Sequence, residues 1–152
     1  MQTITPFLWF DNNAEEAMNF YLSIFKNSKS LGVHRANGKV LTVTFEINGQ
    51  KVMALNGGPH FKFTEAISLF VSCDTQAEVD ELWEKLSAGG SKSRCGWLKD
   101  KFGLSWQIIP KALGELLGDP DPDKSRAVMQ AMLKMNKIVI EDLRKAQQDK
   151  AA

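Results

Sequence analysis

Two stretches of the chain repeat one arrangement of apolar and polar positions. The first opens on the apolar run "ITPFLWF", reaches Asp11 and continues into "NNAEEAMNFYLSIF". There Ala14, Ala17, Met18, Tyr21, Ile24 and Phe25 recur at the i, i+3, i+4, i+7 spacing of an amphipathic helix, and Asn13 with Glu16 predicts its N-terminus. The second opens on "AISLFVSC", reaches Asp74 and continues into "TQAEVDELWEKLSAGG". Thr75 and Glu78 have the spacing of a capping box, Val79, Leu82, Trp83 and Leu86 line one face, and Gly89-Gly90 stops the helix.

After each predicted helix the apolar period shortens to two. In the first module "SLGVHR", "KVLTVTFEI" and "QKVMALN" predict strands, with Asn37-Gly38 and Asn48-Gly49 as hairpin turns between them. In the second, "SRCGWLKD" and "LSWQIIP" predict a hairpin that turns around Lys101 to Gly103. Lys99 to Lys101 read as a solvated turn region, Gly96 and Gly103 as bulge or turn residues, and Ile108 and Ile109 as core. Each module is therefore βα followed by antiparallel strands. Beyond Pro110, "KALGELLGD" predicts a short helix, "DPDPDKSRAVMQAMLKM" a longer one with Asp121 as cap and Pro122 in its first turn, and "IVIEDLRKAQQ" a last one. Met129, Met132 and Met135 form a soft apolar stripe for core or subunit packing.

The fold class expected is α+β: two tandem βαβββ modules, about residues 3–57 and 65–110, forming a half-open antiparallel β-cup, with a C-terminal helical extension over about 111–148. All 152 residues fit the size of a single domain. With 43% hydrophobic and 24% charged residues, the composition points to neither disorder nor a fibrous class. A formal charge of +1, with the signs interspersed, gives no basic field for nucleic acid or an anionic membrane. No apolar run approaches the roughly 18 residues of a membrane span, and the start has no signal-peptide pattern, so a soluble cytoplasmic protein is expected. Cys73 and Cys95 are too few for a disulfide framework and lack metal-ligand spacing; Cys73, inside "ISLFVSC", reads as core.

The stretches "ITPFLWFDNNAEEAMNFY", "FEINGQKVMALNGGPHFKFTEAISLFVSC", "EVDELWEKL", "CGWLKDKFGLSWQIIP" and "AMLKMNKI" together resemble the PhnB-like proteins of the vicinal oxygen chelate superfamily, which includes glyoxalase I and extradiol dioxygenases. These proteins are also carried under the label "3-demethylubiquinone-9 3-methyltransferase". The resemblance implies the cup fold, a homodimer, and a concave cavity for a small ligand. It also implies a divalent metal held by His, Gln or Glu side chains on four strands. The corresponding positions fall near Thr5 or Pro6, near Leu55 or Asn56, near Ser68 and near Gln107. Only Gln107 is a side chain of that ligand type, so no metal and no other cofactor is expected. No G-x-G-x-G turn for S-adenosylmethionine occurs either.

What remains is a ligand cup built from polar and aromatic residues. Asn56, Ser68 and Gln107 are its candidate hydrogen-bonding residues, and Trp9, Phe61, Trp97 and Trp106 its candidate walls. His60, in "GGPHFKF" where Gly57-Gly58 permits close backbone approach, reads as a general base in a loop or as a solvated histidine. Cys95 reads as a nucleophile, if a neighboring cation activates it, or as a structural thiol. His34 is expected on an outer face. Two functions follow: an enzyme acting on a small oxygenated or phosphonate-like metabolite, or a non-catalytic protein that binds a planar ligand.

Overall fold

A computed structural model describes the backbone of residues 1–151 and the side chains of residues 1–149. The described chain forms two compact units, Met1–Phe63 and Thr64 onward. In the first, β1 (Phe7–Phe10) leads to α1 (Ala14–Ile24), then to β2 (Ser28–Ala36), β3 (Lys39–Ile47) and β4 (Gln50–Asn56). In the second, β5 (Ser68–Cys73) leads to α2 (Gln76–Ser87), then to β6 (Ser91–Lys92), β7 (Trp97–Lys99) and β8 (Ser105–Pro110). Three further helices follow: α3 (Lys111–Leu117), α4 (Pro122–Met132) and α5 (Ile140–Ala151).

Both sheets have one topology, β1-β4-β3-β2 and β5-β8-β7-β6, and neither closes into a barrel. To the antiparallel strands expected of each module the structure adds one parallel pair per sheet. The pairs β1/β4 and β5/β8 are parallel. The helix after the first strand reverses the chain, and two antiparallel steps later the last strand runs in the first strand's direction beside it.

In the first unit Val43, Phe45 and Ile47 of β3 alternate into the core, where Phe45 stacks on Tyr21 of α1 at 6.2 Å between centroids. The two β-turns follow the Asn-Gly signals: Asn37 and Gly38 have φ of 52° and 77°, Asn48 and Gly49 48° and 84°, the left-handed pair that a type I′ turn requires. The N-terminus of α1 is held otherwise than expected. Asn13 occupies the cap position without a side-chain cap bond. The Ala14 amide instead donates to Asn56 Oδ1 at 2.9 Å, from the end of β4.

In the second unit Thr75 caps α2 as predicted, accepting from the Glu78 amide at 3.2 Å, while the Asp74 amide donates to Glu78 Oε2 at 2.8 Å. Val79, Trp83 and Leu86 bury against the sheet with Leu98, Trp106 and Ile108. The C-terminal helices have their own cluster of Leu113, Val128, Ile138 and Leu143. It includes Ile109 of β8, with Met132 and Met135 of the methionine stripe packed against it, whereas Met129 is exposed. As predicted, Asp121 caps α4, accepting from the Asp123 amide at 2.9 Å.

Candidate functional site

The hairpin "CGWLKDKFGLSWQIIP" divides into three parts with different work. Asp100, expected in a solvated turn, is 2% exposed. Its carboxylate accepts from the Phe102 amide at 2.9 Å, the Leu104 amide at 3.1 Å and Trp106 Nε1 at 2.9 Å. A buried charge is tolerated when several donors converge on it, and here they also close the turn. Trp106 is accordingly 2% exposed and belongs to the core, which corrects its expected place as a wall of the ligand cup.

Cys95 and Gly96 form the second part. Both have positive φ, 58° and 83°, which turns two successive amides toward the C-terminal segment. Cys95 donates to the Met135 carbonyl at 2.8 Å and Gly96 to the Asn136 carbonyl at 2.7 Å. A Cβ on Gly96 would lie 2.6 Å from Ile109 Cδ1 and 2.9 Å from the Ile108 carbonyl oxygen. The pair is therefore a dock for the helical extension. The half-buried Cys95 thiol lies 3.7 Å from the Met132 carbonyl oxygen. Cys73 is 1% exposed, and burial pushes its thiol up to about 11.

The third part faces away from α2. By strand alternation Ser105 and Gln107 of β8, Ser68 and Phe70 of β5, and Trp97 and Lys99 of β7 share one face. Gln107 Nε2 donates to Ser68 Oγ at 2.9 Å, so two candidate hydrogen-bonding residues are adjacent. Phe70 is 60% exposed beside them, and Trp97, across from Gln107, is half-buried. At the β6 and β7 end a cavity of about 600 Å³ is lined by Arg94, Cys95, Trp97, Lys99 and Ser105, among others. Ser105 is 1% exposed, and its hydroxyl has no hydrogen-bond partner among the described residues. Neither Ser105 nor Asp100 is singled out by sequence pattern. Asp100 precedes three donors at i+2, i+4 and i+6, a signal that a search for local side-chain to backbone bonds would have found.

The other candidates lie in the first unit. Trp9 and Phe61 meet edge to face, centroids 4.9 Å apart, and Trp9 Nε1 donates to the Gly58 carbonyl at 3.0 Å. A Cβ on Gly57 would lie 2.2 Å from the Trp9 ring, the close approach expected of "GGPHF". His60 is exposed in a turn, and His34 is exposed on β2, as expected. Asn56 lines a polar cleft of about 730 Å³ with Asp11, Glu15, Glu16 and Lys39, but its amide is committed at both ends. Besides accepting from Ala14, it donates through Nδ2 to the Val40 carbonyl at 3.1 Å. In β4 it alternates with buried Val52 and Ala54, which places it on the helix side of the sheet.

The four positions where the resemblance places metal ligands therefore offer the Pro6 ring, a doubly bonded Asn56 amide, the Ser68 hydroxyl and the Gln107 amide. Among the described residues no three His, Cys, Asp or Glu side chains form a group able to hold a metal ion. These donors do not fit a transition metal, which takes imidazole, thiolate and carboxylate in preference. No described helix is long and apolar enough to cross a membrane.

Residues 2–109 match the family model described as 3-demethylubiquinone-9 3-methyltransferase. The match ends at Ile109, so "AMLKMNKI" and the three C-terminal helices lie beyond it. A PhnB protein from Bacillus cereus is 38% identical, covering 72% of this chain and 99% of its own, with a TM-score of 0.68. Two others share the fold. A glyoxylase/bleomycin resistance protein/dioxygenase domain from Frankia is 15% identical, with 72% and 92% of the chains covered and a TM-score of 0.52. The fosfomycin resistance protein FosX from Listeria monocytogenes, complexed with Mn(II) and sulfate, is 16% identical, with 77% and 96% covered and a TM-score of 0.55. No protein of curated function matches the chain in sequence.

Proposed function

The chain belongs to the 3-demethylubiquinone-9 3-methyltransferase (PhnB-like) family of the vicinal oxygen chelate superfamily, and from that premise we propose that it is a small-molecule-binding protein that takes its ligand on the open face of β5, β8 and β7 without a resident metal. One observation carries this reading. The Ser68–Gln107 pair is held at 2.9 Å between an exposed Phe70 and a half-buried Trp97, on the side of the sheet away from α2. Exposed aromatic surface around a fixed pair of amide and hydroxyl dipoles has the composition of a ligand site, with apolar walls and few orienting polar groups. Gln107 Oε1 and Ser68 Oγ supply acceptors, and Gln107 Nε2 keeps a second proton to donate.

Binding without turnover is the reading favored for this face. A nucleophile needs a base within hydrogen-bond reach, and the Cys95 thiol lies instead beside a backbone carbonyl, its amide committed to docking the C-terminal segment. His60 lies in an exposed turn, with no side-chain hydrogen bond among the described residues to orient it as a base. The methyltransferase label is not carried over as an activity: among the described residues no glycine-rich turn leads from a parallel strand into a helix. Assembly as a homodimer belongs to the same proposal.

A thermal-shift screen of planar small molecules on the wild type and on Gln107→Ala tests the reading. Ligands are expected to stabilize the wild type and to lose at least about tenfold in affinity on Gln107→Ala, the loss of one or two buried hydrogen bonds. Hits that bind Gln107→Ala equally well would place the site elsewhere. Elemental analysis of protein purified without chelators tests the metal: one equivalent of zinc, nickel, manganese or iron per chain would overturn that part.

A further inference from the structure

The cavity at the β6 and β7 end lies beside the proposed ligand face and shares Trp97 with it. Its floor is unusual: Ser105 is 1% exposed, lines the cavity and has no hydrogen-bond partner among the described residues. A buried hydroxyl left without an acceptor is destabilizing, so a group that accepts from it gains what the chain forgoes. No described residue supplies such an acceptor.

The rim identifies the acceptor's charge. Lys92, Arg94 and Lys99 all line the cavity. Lys92 Nζ is paired with Glu84 at 2.8 Å, and Lys99 is paired with Glu65, itself a lining residue. Among the described residues Arg94 has no ion-pair partner, so it supplies the rim's one uncompensated positive charge. A single negative charge is therefore matched, while a dianion would meet Glu65 without a second free cation. A guanidinium's planar fork fits a carboxylate with two parallel bonds, and Trp97 offers a flat wall next to it.

We infer that this cavity binds the carboxylate of a planar, aromatic monocarboxylic acid, with Ser105 Oγ donating to one oxygen, Arg94 closing over the head group and Trp97 against the ring. The inference rests on the proposed ligand face and names the class of ligand it takes.

Aromatic carboxylates (benzoate, phenylacetate and cinnamate), each paired with its own primary amide, provide the probes. Affinity is read by calorimetry, and occupancy by protection of the Cys95 thiol, which lines the same cavity, from iodoacetamide. At least one acid is expected to bind ten times or more tighter than its amide and to slow Cys95 alkylation. Arg94→Gln, at an exposed position, and Ser105→Ala are each expected to weaken that acid about tenfold, the size of one charge-assisted hydrogen bond; Arg94→Gln leaves the amide unchanged, whereas Ser105→Ala, which removes a donor that an amide oxygen also accepts from, weakens the amide less than the acid. Acids and amides that bind equally would overturn the carboxylate assignment and leave the ligand face standing. If no acid binds or protects Cys95, the cavity assignment fails, whether or not neutral ligands respond to Gln107→Ala. Should Ser105→Ala fail to fold, Arg94→Gln decides.

Discussion

Replacing Asp100 with Asn changes one atom of a buried side chain and separates two accounts of the β7–β8 hairpin. The carboxylate accepts three hydrogen bonds, two at Oδ1 from the Phe102 and Leu104 amides and one at Oδ2 from Trp106 Nε1. In Asp100→Asn the amide oxygen still serves the two backbone donors, now as a neutral acceptor. The new NH2 faces the indole N–H, two donors at about hydrogen-bond distance, so that bond is lost outright. One charge-assisted bond is worth roughly 1.5–3 kcal/mol, and weakening the other two adds about 1 kcal/mol. A loss of about 3 kcal/mol follows, or a fall in Tm on the order of 10 °C for a chain of this length. Urea unfolding followed by tryptophan fluorescence measures it. The double mutant Asp100→Asn with Trp106→Phe removes the donor that the new amide opposes, so its cost should fall short of the sum of the single costs by about 1–2 kcal/mol. A loss below about 0.5 kcal/mol for Asp100→Asn, or strict additivity in the cycle, would refute the clamp and return Asp100 to the solvated turn that its sequence surroundings suggest.

Other consequences are as direct. Gly96→Ala forces a Cβ against Ile109 and the Ile108 carbonyl at positive φ, and should cost about 2–4 kcal/mol and expose residues 111–149 to early proteolysis. Asn56→Ala removes the tie between α1 and β3 and should cost about 1–3 kcal/mol in denaturant unfolding, with ligand affinity unchanged at temperatures where the variant is folded. Iodoacetamide at pH 8 should label Cys95 in the native protein and both cysteines after unfolding, because Cys73 is buried with its thiol held protonated. The same burial raises the folded pKa of Cys73 from 9.0 to about 11, so its contribution to stability is complete below pH 9 and is lost as pH rises to about 11. Cys73→Ala should flatten the stability profile across that window.

The paired modules, their helices and both Asn-Gly turns are legible in the sequence because period and turn chemistry are local signals. Thr75 and Glu78 cap α2 from within three residues of each other. What the sequence pattern leaves out are partners that helix period, strand period and turn signals do not mark. Asn13 looks like the cap of α1, but Asn56 supplies the acceptor from the end of β4. Cys95, among cations in sequence, reads as a nucleophile or a structural thiol, and the sequence gives no sign that its amide holds the Met135 carbonyl. Asp100 sits between two lysines, and only the folded turn brings Trp106 over it. Gln107 and Ser68 are candidate site residues through the family resemblance; that they bond to each other follows from the parallel pairing of β5 with β8. Ser105 carries no sequence signal, since burial and the lack of a partner exist only in three dimensions.

A residue-resolved amide NMR titration with a library of planar fragments tests whether the ligand sits on the open face of the second sheet. Perturbed amides should cluster at Ser68, Phe70, Trp97, Ser105 and Gln107, and the cluster should vanish in Gln107→Ala. Shifts gathered instead around Asn56, Val40 and Asp11 would contradict it.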